Sequence, residues 1–468
     1  MTSLVALLPS QPGRTRRHAI VPAAHAGPVG TTAGSVQPSL QLVQAVLGDA
    51  GAADGALGFT RDLSDRVGAR LAGSSGADRA VDWALAAMRR AGLVNVRKEP
   101  LRVPRWVRGE ESAEIVGPTS QKLHITTLGG SVGTRAPGAA SDAAAAAIEG
   151  EVIESPSLDA LPALGEKLRG RIVLLNREMA RTRDFDGYRD AVAQRSRGAA
   201  HAGKYGALAV LVRSTGTGYH RLPHTGAMRY EDGGPRIPAA ALATEDADLI
   251  HRLLQAGETV RVRLRLGARL DGEVESANVV GEVRGRELPQ EVVLMGAHLD
   301  SWDLGTGALD DGAGCGIVLD TARRLALAAA QGRGPRRTVR AVLFMNEELG
   351  LSGARAYAKQ HEGELSRHVA ALEADSGSGA PFGYRVTGGE PARLLVGRWL
   401  APLGSLVPTD ISNVEEWGAD LLPLQGAGVP VVGVAQDVSD YFEWHHTAGD
   451  TFDKIRPAEL ARAQAAFA

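Results

Sequence analysis

Cysteine is nearly absent from this sequence: there is one, Cys315, in 468 residues. An intramolecular disulfide framework is therefore excluded, and so are zinc sites built from four thiolates. Any metal must be held by His, Asp and Glu. An excess of one charge is missing too. The 52 Lys and Arg stand against 54 Asp and Glu, a formal net charge of −2, with a sequence pI of about 6.7. That excludes the basic footprint of a nucleic-acid-binding protein and favours a small, nearly neutral substrate. No run approaches the roughly 18 to 20 apolar residues that span a bilayer, so no membrane span is expected. At the N-terminus MTSLVALLPS lacks a basic lead, and RTRRHAIVPAAHAG has only a short apolar patch before a small-residue triplet. This is a poorly formed signal peptide. Residues 1–37, rich in Pro, Gly and small side chains, read as a disordered or processed segment.

What is present is ordinary globular composition, 44% hydrophobic and 23% charged, in a chain long enough for two domains or for one domain interrupted by another. Apolar spacing of three and four predicts helices in LQLVQAVLGDA, LGFTRDLSDRVG and GADRAVDWALAAMRRAG, and VNVRKEPLRVPRWVRG reads as strand. These belong to a first part of the main domain, residues 38–117. Over 118–268 the character changes. An Ala- and Gly-rich stretch leads into the short strand-like runs EVIESP, GRIVLLNR and ALAVLVRS with one or two helices among them, a self-contained β-rich insert. Over 269–468 strand and helix alternate: EVVLMGAH, GCGIVLDTARRLALAAA, TVRAVLFMN, LSGARAYAKQH, HVAALEAD, PARLLVGRWLAPL and VPVVGVAQ. Such alternation implies an α/β sheet with helices on both faces and ligands at the carboxyl ends of the strands.

Acids and histidines gather at those ends. One strand stops at His298, with Asp300 two residues on, at the period that would put both on one side of an extended chain. There a carboxylate can orient a metal-ligating imidazole through its second nitrogen. Asp310 and Asp311 precede the small-residue helix, Glu347 and Glu348 follow the next strand, Asp375 ends another, and EWHHTAGDT carries His445, His446 and Asp450. Each group alone more often caps a helix or faces solvent; their joint placement carries the weight. A pair of zinc ions about 3.5 to 4 Å apart needs a bridging carboxylate, with one His and one further carboxylate on each ion. A separate carboxylate must take a proton from water that zinc brings to a pKa of about 7. The doublet Glu347-Glu348 can supply a base and a ligand.

The motifs GAHLDSWDLGTGALDDGAG, FMNEELGLSGA, LEADSG and WHHTAGDT together resemble the co-catalytic zinc aminopeptidase clan, and most closely its plasma glutamate carboxypeptidase (carboxypeptidase Q) group. LSDRVGARLAGS, LRVPRWVRGEES, GKYGALAVLVRS and PHTGAMRYEDGGPRIP extend the likeness over about residues 55 to 460. The resemblance implies a zinc-peptidase fold of the phosphorylase/hydrolase kind, a mixed sheet flanked by helices, with a protease-associated domain inserted over the cleft. It implies His298 and Asp375 on one zinc, Glu348 and His446 on the other, Asp310 bridging, Glu347 as general base, Asp300 orienting His298, and a cis peptide between Asp310 and Asp311. His446 is preferred to His445 because the family's ligand stands at this spacing before an Asp-Thr pair; His445 then packs nearby, and Asp450 lies near His446. His224, in PHTG, reads as a structural loop residue. Where the family often has a hydroxyl residue between Gly and Asp, this chain has Gly418, Ala419 and Asp420. Dimerisation and a secreted or periplasmic location are further implications of the likeness.

The expected function is zinc-dependent exopeptidase action on short unblocked peptides, dipeptides above all, by metal-activated water with two zinc ions per chain. The rivals are a single-zinc acyltransferase like glutaminyl cyclase and a non-catalytic binding protein like the transferrin receptor.

Overall fold

The structure, a computed structural model, describes residues 43, 55–135 and 145–468. The expected segment 1–37 and, apart from Val43, the expected helix over LQLVQAVLGDA lie outside the described residues. In chain order the strands are β1 (Val94–Val107), β2 (Glu111–Gly117), β3 (Gln121–Leu123), β4 (Ile125–Thr127), β5 (Ile148–Ser155), β6 (Ile172–Leu175), β7 (Ala209–Arg213), β8 (Ala239–Leu242) and β9 (Arg261–Leu266). There follow β10 (Arg269–Val283), β11 (Leu288–His298), β12 (Arg337–Phe344), β13 (His368–Glu373), β14 (Pro381–Val386), β15 (Ile411–Asn413) and β16 (Val431–Gln436).

These form two mixed eight-stranded sheets, β1-β10-β12-β11-β13-β16-β14-β15 and β3-β2-β9-β5-β6-β7-β8-β4. β1 and β10 pair with each other along one edge of the first sheet. The chain therefore leaves that sheet after β1, builds the whole second sheet, and returns at β10. The second sheet opens at Glu111, ahead of the expected boundary at 118, because β2 pairs along β9 at the point of return.

Burial explains the strand sequences. β9, RVRLRL, alternates exposed arginines with buried apolar residues, the pattern of a strand with one wet face. In β6 successive residues serve opposite cores: Ile172 and Leu174 join Ile250 of helix Thr244–Gln255, while Val173 and Leu175 join Ala199 and Ala202 of helix Asp186–Gly203. The first sheet is covered in the same way. Met295, Ala297 and Leu343 pack with helices Ser75–Arg90 and Ala313–Ala330, and Leu294, Val342 and Phe344 pack with Tyr357 of helix Ser352–Gln360. Helix Ser75–Arg90 starts where Ser74 accepts a hydrogen bond from the Ala77 N–H at 3.2 Å, an N-cap. It buries Ala77, Ala80, Val81, Ala84, Ala87 and Met88, its three-and-four stripe. Among the described residues no helix is long and apolar enough to cross a membrane.

A polar network pins β12 to the layer beyond it. The buried Arg340 donates to Glu282 at 2.8 Å, to Glu364 at 2.7 Å and to the Tyr357 hydroxyl at 3.0 Å. Burial raises the Glu364 carboxyl, but hydrogen bonds from Arg340 and His361 outweigh it and hold the group at about 2. A carboxyl depressed on folding adds stability above its unfolded value, near 4.3, and loses it as pH falls toward 2. With Glu364 about a third exposed, Glu364→Gln should cost about 1–2 kcal/mol at pH 7 after discounting for solvent screening. The gap in urea midpoint between variant and wild type should close between about pH 4.3 and 2. A gap that stays constant across that range would mean the pair contributes nothing.

Candidate active site

The chemistry-bearing side chains sit where four neighbouring parallel strands end. β12, β11, β13 and β16 lie side by side in parallel, and the carboxyl edge of such strands is where open α/β sheets bind ligands. His298 closes β11. Glu347 and Glu348 follow β12, Asp375 follows β13, and His445 and His446 follow β16 after a 3-10 turn at Tyr441–Glu443. Asp310 comes from the loop that leads into helix Ala313–Ala330. Gly314 lets that helix start tight against the end of β13: a Cβ there would lie 1.8 Å from the Ala374 carbonyl oxygen. A side chain at 314 would force apart the segments that carry Asp310 and Asp375.

Asp310 is the centre. Its Oδ1 lies 3.0 Å from His298 Nε2, and its Oδ2 lies 3.1 Å from His446 Nε2 and 3.4 Å from His445 Nε2. His446 Nε2 is also 3.1 Å from Glu348 Oε2, and His298 Nε2 is 3.7 Å from Asp375 Oδ1. Among the described residues three overlapping groups have their ligand atoms within 4.8 Å of one another: Asp310, His445 and His446; His298, Asp310 and Glu348; and His298, Asp311 and Asp375. His298, Asp310, Glu348, His445 and His446 are buried, and Asp375 is half-buried.

The donor set fits zinc: imidazoles and carboxylates, with no thiolate. Glu348 Oε1 is buried without a hydrogen-bond partner. Burial pushes the carboxyls of Glu348 and Asp375 above the usual range, with Asp310 adding to the effect on both and His298 and His446 opposing it. Burial likewise pushes Glu347 well above it, with Glu348 and Asp375 adding to the effect against His298. Burial opposes a charged His446, yet Glu348 and Asp310 outweigh it and lift the imidazole to about 10. Glu347, Glu348 and Asp375, which resist ionisation beside a His446 that keeps its proton, are groups whose charge bound cations would rebalance.

Around this centre, carboxylates shape the backbone. The carboxylate of Asp300 accepts from the N–H groups of Asn346 at 2.7 Å, Glu347 at 3.1 Å and Glu348 at 3.4 Å. It is 3.9 Å from His298 Nδ1, which instead meets the Asp300 backbone carbonyl at 3.0 Å. The orienting task that the sequence pattern gives to the carboxylate is thus done by the main chain. Extended structure stops at His298, so the alternation that would aim the side chain back at the imidazole does not persist. Asp450 accepts from the N–H groups of Leu309 at 2.7 Å and Asp310 at 3.2 Å. Asp311 accepts from those of His298 at 3.1 Å and Gly314 at 3.0 Å. The Asp310-Asp311 peptide is cis. Asp420 donates its N–H to Glu373 at 3.2 Å, behind Asp375.

Several partners carry no signal in the local sequence. Arg70, fully buried, donates to the carbonyls of Leu299 at 2.6 Å, Thr306 at 2.7 Å and Gly307 at 2.8 Å, fixing the loop from His298 to Asp310. Arg108 donates from Nε to both carboxylate oxygens of Asp303, at 3.1 and 3.0 Å. His445 stacks on His446 with ring centroids 3.5 Å apart, because His446 takes a left-handed φ of 62° that brings adjacent rings together. His224, in the second-sheet part, is buried, its backbone N–H donates to Ser214 Oγ at 3.0 Å, and burial pushes its imidazole down to about 3.

A family model described as Peptidase family M28 matches residues 278–468. Carboxypeptidase Q of Mus musculus is 37% identical over 406 residues, covering 87% of this chain and 82% of that protein. Carboxypeptidase Q of Homo sapiens is 36% identical with the same coverage. Among solved structures, a peptidase M28 precursor from Shewanella amazonensis has a TM-score of 0.85 at 39% identity, covering 92% of this chain and 95% of that one. BSAP, a zinc aminopeptidase from Bacillus subtilis, shares the fold with a TM-score of 0.63 at 20% identity, covering 88% and 94%.

Proposed function

This chain belongs to peptidase family M28, and on that premise we propose that it is a zinc-dependent exopeptidase hydrolysing short unblocked peptides, dipeptides above all, with Glu347 as general base. The observation that carries the reading is the arrangement about Asp310, whose two carboxylate oxygens face His298 and His446 from opposite ligand sets. His298 and Asp375 would hold one ion, Glu348 and His446 the other, with Asp310 shared between them. His446 is preferred to its stacked neighbour because its Nε2 reaches both Glu348 and Asp310 at 3.1 Å.

Zinc held there supplies Lewis acidity toward the scissile carbonyl and acidifies the attacking water. The chain's own part is proton transfer and placement. Glu347 takes a proton from that water and returns it to the leaving amine nitrogen. Asp300 fixes Glu347 and Glu348 at once, through their backbone N–H groups, so base and ligand keep a constant spacing. Asp450 and Arg70 do the same for the loop that carries Asp310. The second sheet serves as a protease-associated domain over the cleft, tied to it where Thr217 donates its N–H to the Phe442 carbonyl at 2.9 Å. A cleft narrowed in this way suits short peptides. The carboxypeptidase relatives support exopeptidase action.

The test is amino-acid release from unblocked, amino-blocked and carboxyl-blocked dipeptides, before and after chelation. Cleavage of the unblocked peptides alone, abolished by chelator and restored by zinc, is expected. Full metal binding without hydrolysis of any of them would turn the reading toward cyclisation or binding.

A further inference from the structure

The second-sheet part of the chain meets the candidate ligand His446 twice through the backbone of Thr225. The Thr225 N–H donates to the His446 carbonyl at 2.9 Å, and the Thr225 carbonyl lies 3.2 Å from His446 Nδ1. With the Nδ1 proton given to that carbonyl, the Nε2 lone pair is left to point at Asp310 and Glu348. Resting on the zinc-peptidase reading above, we propose that Thr225 and Arg195 are positioning residues of the metal centre, fixing the tautomer and ring plane of His446 from the second-sheet part of the chain.

The surroundings are built for this. Arg195, on helix Asp186–Gly203, is buried, and its Nη1 reaches the same Thr225 carbonyl at 3.5 Å, 3.4 Å from His446 Nδ1. Its Nη2 donates to the Tyr188 hydroxyl at 2.7 Å, which holds the guanidinium in place. Gly226, next to Thr225, has a φ of 138°, and a Cβ there would lie 2.4 Å from the guanidinium carbon. Only glycine permits so close an approach in that conformation. The Thr225 hydroxyl donates to the Thr127 carbonyl at 2.9 Å and lies 3.4 Å from Arg108 Nη2. Arg108 in turn clasps Asp303 in the loop that follows His298. A closed path therefore runs from that loop through Arg108 and Thr225 to His446. Outer partners of a ligating imidazole typically carry a 10- to 100-fold effect on metal affinity. Here they come from the other sheet, so loss of the contact should loosen the ion on His446 and spare the ion on His298.

Chelator competition on the zinc-loaded full chain tests this, with the two ions resolved as separate steps. Arg195→Met removes the donor and keeps the stem, Thr225→Val removes the hydroxyl anchor and keeps the shape, and Arg195→Lys restores a donor. In Arg195→Met and Thr225→Val one of the two ions should bind about 10- to 100-fold less tightly, with the other ion and the metal-free thermal midpoint unchanged and partial recovery in Arg195→Lys. Unchanged affinity for both ions in either variant that folds overturns the proposal. So does equal weakening of both ions together with a lower metal-free midpoint, since that is general loosening. Wild type that binds no zinc removes the zinc-peptidase reading itself, and this proposal with it.

Discussion

Replacing Glu347 with glutamine should lower turnover of an unblocked dipeptide by about 10²- to 10⁴-fold, the usual weight of a general base, while the metal content stays that of the wild type. The variant keeps the shape of the side chain and the backbone N–H that Asp300 holds at 3.1 Å. Glu348, its neighbour, keeps its hold on His446. On the proposed reading, what is lost is the carboxylate that would carry the proton from water to the leaving amine. The effect should fall on kcat rather than on KM, because proton transfer belongs to the transition state. Turnover near that of the wild type would remove Glu347 from the role. Loss of metal would make it a ligand instead.

Asp310→Asn should do the opposite: metal binding and activity fail together. An amide is nearly isosteric with the carboxylate, and the Asp310 N–H would stay anchored to Asp450 at 3.2 Å, so the loop should keep its course. Yet one of the two atoms facing His298 and His446 would become an NH₂ group, and the negative charge shared between the two ligand sets would be gone. Loss of the ions would remove their Lewis-acid contribution, several kcal/mol of transition-state charge stabilisation; at about 4 kcal/mol the fall in activity is about 10³-fold. Titration of the metal-free variant with zinc should show weakened binding of both ions. If one ion bound as tightly as in the wild type, Asp310 would belong to one ligand set alone.

Much of the site could be read from the chain because strand periodicity and motif spacing are local. Apolar runs ending at His298, Met345 and Ala374 locate strand ends, and the fold brings parallel neighbours' ends together. Features that depend on a break in regular geometry were not legible. Asp300 turns its carboxylate to the backbone of residues 346–348 because extended structure ends at His298, two residues before it. His445 faces the same aspartate as His446 only because of a left-handed φ at His446. Nor does any local pattern pair Arg108 with Asp303, or Thr225 with His446, across separate sheets. In the fold, β14 and β15 escaped because their runs are short and polar or interrupted by Gly, at the far edge of the first sheet.

The most direct test of the paired-ion site is the metal content of the purified wild-type chain after exposure to zinc and removal of excess, read by elemental mass spectrometry against protein concentration. About two zinc ions per chain are expected from a shared Asp310 flanked by two ligand sets. A value near one would contradict the pairing and favour a single-ion acyltransferase, and a value near zero would contradict the metal centre altogether.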